Sequence, residues 1–341
     1  MLAYWTLFFV AVFPESKTKA AERIFFLFVF ILLVFAIGYR FEVGCDWVAY
    51  QGIFYATQYN LDSALAVTDP GYALLNWAAG RMGGGYTLVN VISGALFSGG
   101  LIVFLRRQPL PILALAIAIP YMVVVVAMGY QRQSIALAFL MVGLAQFGRG
   151  KTLWFFAMVL IGALFHKSVL VLLPLGLLKP GQQGKVLVWF VFGFSLWVAS
   201  VLLLDSYQRL WVSYVDQQMQ SEGAIIRVAM NLVAALVFLG VRKRWNKNFA
   251  DGFLWQWLAL AAILSALFVT EATTAVDRMA LYLLPLQIVV FTRLPFLYSR
   301  GNTRLILTGG IILGYSAVLF VWLNYAQHAD CWLPYRNVLF E

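Results

Sequence analysis

Ala127-Met128-Gly129-Tyr130-Gln131-Arg132-Gln133-Ser134-Ile135-Ala136 is a polar knot between two apolar runs, Leu110 to Ala127 and Arg132 to Phe147. An arginine flanked by glutamines at the mouth of a membrane helix is costly unless it faces a watery cavity or an anion. The stretch therefore reads as the junction of two spanning helices and as an anion seat. A lone arginine snorkelling from a helix end is the bland alternative.

The flanking runs are typical of the chain. Of 341 residues 63% are hydrophobic and 11% charged, with a mean hydropathy of +0.85, far too apolar for a soluble domain of this size. The reading is an all-α integral membrane protein. Apolar runs fall at Leu2 to Phe13, Ile24 to Tyr39, Tyr86 to Leu105, Leu110 to Ala127, Arg132 to Phe147 and Leu153 to Phe165. They continue at Val169 to Leu178, Val186 to Leu204, Ala224 to Val241, Phe253 to Thr270, Met279 to Phe291 and Leu305 to Leu323. That predicts about 12 transmembrane helices in a single polytopic domain over residues 1–341. Residues 2–13, at about 1.5 Å each, reach only about 20 Å of a roughly 30 Å core.

A net charge of +10 does not point to nucleic acid, because the cations are gathered neither on one face nor in one tail. They sit in short loops: Lys17/Lys19/Arg23, Arg106/Arg107, Arg149/Lys151, Lys179/Lys185, Arg242 to Lys247 and Arg293/Arg300/Arg304. These hold 16 of the 24 basic residues but only Glu15, Glu22 and Asp251 of the 14 acids. The positive-inside rule makes that side cytoplasmic and leaves both termini extracytoplasmic. If Gly71 to Arg81 also crossed, every later basic loop would change sides, so it reads as re-entrant or interfacial. Residues 41–85 then form one long outer excursion, with Trp47, Tyr50, Phe54 and Tyr55 suited to an amphipathic helix at headgroup level. A second outer segment spans residues 205–227.

With this orientation, Arg40, Glu42, Asp46, Asp69, Arg132, His166, Lys167, Arg227, Glu271, Asp277 and Arg278 all lie at the outer ends of spans. Arginines with a lysine facing a membrane favour a phosphate or diphosphate, to which guanidinium presents a planar fork of donors. His166 and Asp46 are the acid/base candidates. Each residue also has a structural alternative. Arg40 would pair with Glu42 or Asp46, Arg278 with Asp277, and Asp46 would serve a turn. Lys167 would snorkel, and Tyr50, Tyr72, Tyr130 and Tyr282 would form an interfacial belt. Arg227 would meet either the glycan or anionic headgroups. Two histidines and two cysteines offer no zinc-type ligand set, so no metal and no other cofactor is expected. Cys45 and Cys331 both fall on the oxidising side, where a bond would tie the tail to the first outer loop; free thiols are the alternative.

In order along the chain, several fragments resemble the EpsG family of Wzy-like exopolysaccharide polymerases. Gly38-Tyr39-Arg40 followed by Val43-Gly44-Cys45-Asp46-Trp47 and Tyr50 resembles the family's R-Y-x-V-G-x-D-Y-x-x-Y. Asp69-Pro70-Gly71-Tyr72 is similar to E-P-G-Y, Arg132-Gln133-Ser134-Ile135-Ala136 to R-Q-x-I-A, and Phe165-His166-Lys167-Ser168 to F-H-x-S. Asp277-Arg278-Met279 with Tyr282 is similar to a late R-x-x-x-Y, and Trp332-Leu333-Pro334-Tyr335 to a closing P-Y. Cys45 stands where threonine is common and Asp69 where glutamate is common.

The resemblance implies a glycosyltransferase of the bacterial plasma (inner) membrane that joins oligosaccharide repeats carried on undecaprenyl diphosphate at the outer leaflet. Its donor and acceptor are both lipid-linked, its setting is the bilayer, and a chain-length regulator is its candidate protein partner. His166, Asp46, Arg132 and Arg278 then become the catalytic set, with Arg40, Tyr50, Tyr72, Tyr130, Gln133, Lys167, Arg227 and Tyr282 binding substrate. Two other readings stay open. A polyprenol-phosphate-sugar glycosyltransferase would use an acidic pair in the first outer loop, a role in which Glu42 and Asp46 could be misread, but they stand four apart and are flanked by Arg40. A transporter of the lipid carrier would place polar groups through the midplane.

Overall fold

The computed structural model describes residues 1–12, 18–178, 184–204, 223–271, 273–298 and 302–341. The first third of the chain forms α1 (Leu2–Val10), α2 (Lys19–Gly38), α3 (Trp47–Thr57), α4 (Leu61–Val67), α5 (Pro70–Arg81) and α6 (Gly85–Leu105). Then come α7 (Pro111–Ala118), a π-helical continuation Ile119–Ala127, α8 (Gln131–Phe147), α9 (Thr152–Ala163), a 3-10 helix Lys167–Leu177 and α10 (Lys185–Leu204). The remainder is α11 (Ala224–Asn248), α12 (Gly252–Phe268), α13 (Thr273–Ala280), a 3-10 turn Leu281–Leu283, α14 (Leu284–Leu297) and α15 (Thr303–Tyr325). Among the described residues there is no strand, only an isolated bridge between Arg40 and Asn337.

Among the described residues, five helical stretches are long and apolar enough to cross a bilayer: Lys19–Gly38, Gly85–Leu105, Ala224–Asn248, Thr273–Leu297 and Thr303–Tyr325. The other apolar runs fold as shorter helices, and proline accounts for part of this. Pro120 removes one amide donor from the ladder and coincides with the change from α to π geometry. Pro174 lies inside the 3-10 helix. The expected first span is a nine-residue helix, about 14 Å at the usual rise, with Tyr4 and Phe8 buried. The segment expected to be re-entrant or interfacial is α5, twelve residues with Pro70 in the first turn. Most of the second outer segment, 205–222, lies outside the described residues.

The helices gather into two compact units. The first comprises Met1–Ala138, Leu164–His166 and Ile306–Glu341; the second comprises Phe139–Ala163 and Lys167–Leu305. In the first, α2 begins on Thr18, whose side chain accepts from the Ala21 amide, and Glu22 complements its first turn. Helix α2 packs along α6, while α3, α4 and α5 pack on one another and on the start of α6. Trp47, Tyr50 and Phe54, three and four residues apart, put one face of α3 into a core shared with Tyr72, Ala79, Tyr86 and Val89. Helix α3 is amphipathic as expected, but Trp47, Tyr50 and Phe54 look inward, and of the four aromatics only Tyr55, 59% exposed, lies on the outer face.

In the second unit α11 and α12 form a tight antiparallel hairpin that also packs on α13 and α14. Arg293, counted above as a loop cation, is a correction. It lies within α14, 8% exposed, paired with Asp251 at 2.6 Å and facing the rings of Trp245, Phe249 and Trp255. Asp251 also accepts from the Trp255 indole at 2.8 Å. An aromatic enclosure and one carboxylate hold this nearly buried guanidinium, although its Nε is left without a hydrogen-bond partner.

Candidate functional site

In the first unit the polar knot and the Asp69-Pro70-Gly71-Tyr72 segment are assembled against each other. Asp69 sits at the N-cap position of α5, yet its carboxylate does not cap the helix. It accepts instead from Arg132 Nη1 at 3.0 Å, and the Thr68 hydroxyl accepts from the same nitrogen at 3.2 Å. The guanidinium lies 6.0 Å from the Tyr50 ring. The Arg132 side chain remains 29% exposed, so it is held in place without being sealed in. Gly71 donates its amide to the Leu164 carbonyl at 2.7 Å, and a Cβ there would lie 3.0 Å from both Leu164 Cβ and its oxygen. Tyr72 donates its hydroxyl to Gln131 Oε1. Each residue of this segment thus has a distinct task. Together they bring Arg132 and the turn that leads to His166 to the same helix N-terminus.

Tyr50 and Tyr72 are core residues, at 8% and 0% exposure, so neither belongs to an interfacial belt. Burial raises the pKa of both hydroxyls, with Arg132 opposing the rise at Tyr50. Both therefore stay protonated at neutral pH, with the Tyr72 hydroxyl donating to Gln131 and the Tyr50 hydroxyl accepting from Arg132. Tyr130 is half-buried just before α8, and its carbonyl accepts the Ser134 amide at 2.8 Å. Gln133 is 3% exposed. His166 is half-buried between α9 and the 3-10 helix.

The loop that follows α2 is fastened from several directions. Arg40, 1% exposed, donates to the Ile37 and Val43 carbonyls and lies 5.6 Å from the Trp47 ring. Burial lowers its pKa from the ordinary arginine value, though not enough to uncharge a guanidinium. The expected pairing of Arg40 with Glu42 or Asp46 is not formed with Glu42, whose carboxylate takes Arg336. Cys45 and Cys331 are joined in a disulfide, and the Gly44 amide donates to the Cys331 carbonyl at 2.7 Å. Gly44 has φ +100°, and a Cβ there would meet the Met128 carbonyl at 2.5 Å, so this position admits only glycine. Trp332 donates its indole N–H to the Val124 carbonyl in the π-helical stretch at 2.8 Å, and its own carbonyl accepts from Tyr4. The tail thereby clasps the loop bearing Asp46, which is itself exposed at the start of α3.

The second unit carries its own polar cluster. Arg227, 1% exposed, pairs with Asp277, 4% exposed, so the carboxylate expected beside Arg278 is spent on another arginine. One turn on, Asn231 donates to the Ala280 carbonyl at 2.8 Å, where α13 breaks into the 3-10 turn, and accepts from Gln287 at 2.7 Å. Tyr282, fully buried, shares a 3.0 Å hydrogen bond with Ser168, so it too is no belt residue. Arg278 and Lys167 are half-buried. Arg132 belongs to the first unit and Arg278 to the second.

Sequence reasoning did not include Asp69, Tyr86, Asn90 or Ser93 among the site residues. The last three recur at i, i+4 and i+7 along α6, a polar face on an otherwise apolar run, and that spacing was the available signal. Among the described residues no three His, Cys, Asp or Glu side chains gather as a metal-binding group. The family model of the EpsG family matches residues 23–337. No curated protein and no solved structure matches the chain.

Proposed function

The chain belongs to the EpsG family, whose members are Wzy-like exopolysaccharide polymerases, and from that premise we propose that it polymerises oligosaccharide repeats carried on undecaprenyl diphosphate at the outer leaflet of the bacterial plasma membrane. The observation that carries this reading is Arg132, held by Asp69, Thr68 and Tyr50 at a helix start yet partly open. In the transfer, the bond between the anomeric carbon and the diphosphate oxygen breaks. An acceptor hydroxyl oxygen bonds that carbon, its proton passes to a base, and the lipid diphosphate leaves with the electron pair. Arg132 opposes the charge growing on the leaving group, the role a metal ion fills in other glycosyl transfers. Arg278 is proposed as a second cation, and Lys167 as a further phosphate or sugar contact.

The base is His166 or Asp46. His166 follows the turn whose Leu164 carbonyl clasps α5, whereas Asp46 lies in the loop pinned by the disulfide. Two independent features support an outer-facing site: the concentration of cations on the opposite loops, and a disulfide, which persists in an oxidising compartment.

Purified protein incubated with lipid-diphosphate-linked repeats should produce a ladder of longer glycans. Arg132→Ala and Arg278→Ala should each abolish it while the protein stays folded. Normal ladders from both variants would end the assignment. A histidine base makes the rate rise through about pH 6.5, whereas a carboxylate base is already ionised there, so the pH profile of turnover separates His166 from Asp46.

A further inference from the structure

Gln131 is fully buried, and its amide makes four hydrogen bonds. Oε1 accepts from the Tyr72 hydroxyl at 3.0 Å and the Tyr86 hydroxyl at 3.1 Å. Nε2 donates to Asn90 Oδ1 and to Ser93 Oγ, both at 2.9 Å. That is the full capacity of a primary amide. The partners come from α5 and from the polar face of α6, so one side chain locks three helices together at the first residue of α8.

The next residue in α8 is Arg132, and three residues before Tyr72 is Asp69. The amide lock and the Arg132–Asp69 pair therefore tie the same two chain segments at neighbouring points. Without the amide, Tyr72, Tyr86 and Asn90 each lose a buried hydrogen-bond partner, while Ser93 keeps its bond to the Val89 carbonyl at 2.6 Å, so the lock resists rotation of the α8 start. Slippage by one residue turns a helix by about 100°, which would carry the guanidinium away from the carboxylate altogether.

We propose that Gln131 is a positioning residue for glycosyl transfer: without touching substrate, it holds Arg132 and Asp69 in register where the leaving diphosphate is bound. This rests on the reading of Arg132 as the cation for that diphosphate. Misplacement of such a group by about 1 Å typically costs on the order of a hundred-fold in rate.

The test uses the full-length protein in lipid nanodiscs, with lipid-diphosphate-linked oligosaccharide as substrate and inorganic pyrophosphate as a competing probe. Gln131→Leu should lower kcat by at least about ten-fold with little change in KM. Gln131→Glu, whose protonated carboxyl supplies an acceptor and a donor in the same place, should stay within about three-fold of the parent. In an Arg132→Gln background, where no ladder remains to be read, Gln131→Leu should cause no further loss of pyrophosphate affinity, because a residue acting through another is silent once that partner is gone. If Gln131→Leu does not fold, Tyr86→Phe removes one of the four bonds and should lower kcat by about three-fold or more, with a loss of pyrophosphate affinity that disappears in the Arg132→Gln background.

Equal losses of pyrophosphate affinity with and without Arg132, or a Gln131→Leu enzyme whose kcat is within two-fold of the parent, would overturn the proposal while leaving the polymerase reading intact. If the parent protein makes no ladder, that reading fails instead. Positioning is then judged by pyrophosphate affinity alone: an Arg132-dependent affinity unaffected by Gln131→Leu would overturn it, and one that falls with Gln131→Leu would uphold it.

Discussion

At the scale of single residues, the Arg132–Asp69 pair makes a prediction with two opposed signs. Asp69 neutralises Arg132 in the resting protein, so an incoming diphosphate has to share or displace it. Asp69→Asn should therefore strengthen inhibition by inorganic pyrophosphate by roughly three- to ten-fold while slowing turnover, since a charge-assisted bond is lost as well. Arg132→Ala should abolish turnover and weaken pyrophosphate binding, and turnover assays combined with direct pyrophosphate-binding measurements distinguish the patterns. Pyrophosphate inhibition unchanged in Asp69→Asn would mean that the carboxylate does not govern the cation. The buried tyrosines make a second prediction. Tyr50 and Tyr72 have folded-state pKa values raised by burial, so their contribution to stability is complete below about pH 10 and is lost as pH climbs beyond it. Melting temperatures of the parent should fall between pH 9 and 11 more steeply than those of Tyr50→Phe or Tyr72→Phe. Arg132 was legible in sequence because a cation between glutamines in an apolar chain is expensive. The burial of Tyr50, Tyr72 and Tyr282 was not, because a tyrosine suits a membrane interface and a core equally well and only its neighbours decide.

At the scale of elements, the start of α5 should be the most brittle joint in the first unit. Gly71 meets the Leu164 backbone where a Cβ would need to sit, so Gly71→Ala has to push α5 away from the turn that precedes His166. The expected cost is about 1–3 kcal/mol of stability, with a larger proportional loss of polymerisation because Asp69 and Tyr72 move too. Gly52→Ala in α3 is the control: nothing lies within 4 Å of its added methyl, and a helix-interior glycine replaced by alanine gains about 0.5–1 kcal/mol. In the second unit, Asp277→Ala should leave the guanidinium of Arg227 buried and unpaired, destabilising by about 3–5 kcal/mol. Thermal denaturation of the three variants ranks these effects. The apolar runs located most helices, since twenty apolar residues leave little choice. They did not reveal where Pro120 would convert α to π geometry, nor that Asp277 would choose Arg227, fifty residues away in sequence, over its neighbour. Periodicity reports which face is apolar but not which helix will cover it.

For the whole molecule, the distribution of charge and the Cys45–Cys331 bond bear independently on orientation, one through cations retained on the cytoplasmic side and the other through redox chemistry. The sequence brought both cysteines to one side but left the bond undecided, because pairing residues 286 apart depends on the clasp made by Trp332, Arg336 and Asn337, none of which advertises a partner. That clasp also limits what the disulfide does alone. With Trp332 seated on Val124, Tyr335 on Ala36 and Arg336 on Glu42, Cys45→Ser with Cys331→Ser should keep the fold and lose about 2–5 kcal/mol. In intact cells a membrane-impermeant maleimide should label neither cysteine until an impermeant reductant is added, and both afterwards. Since the chain holds only these two cysteines, the mass shift reports this end of the protein and nothing else. Labelling that requires permeabilised cells would place the loop before α3 and the tail in the cytoplasm. The proposed site could then no longer meet a lipid-linked glycan on the outer leaflet, whatever Arg132 binds.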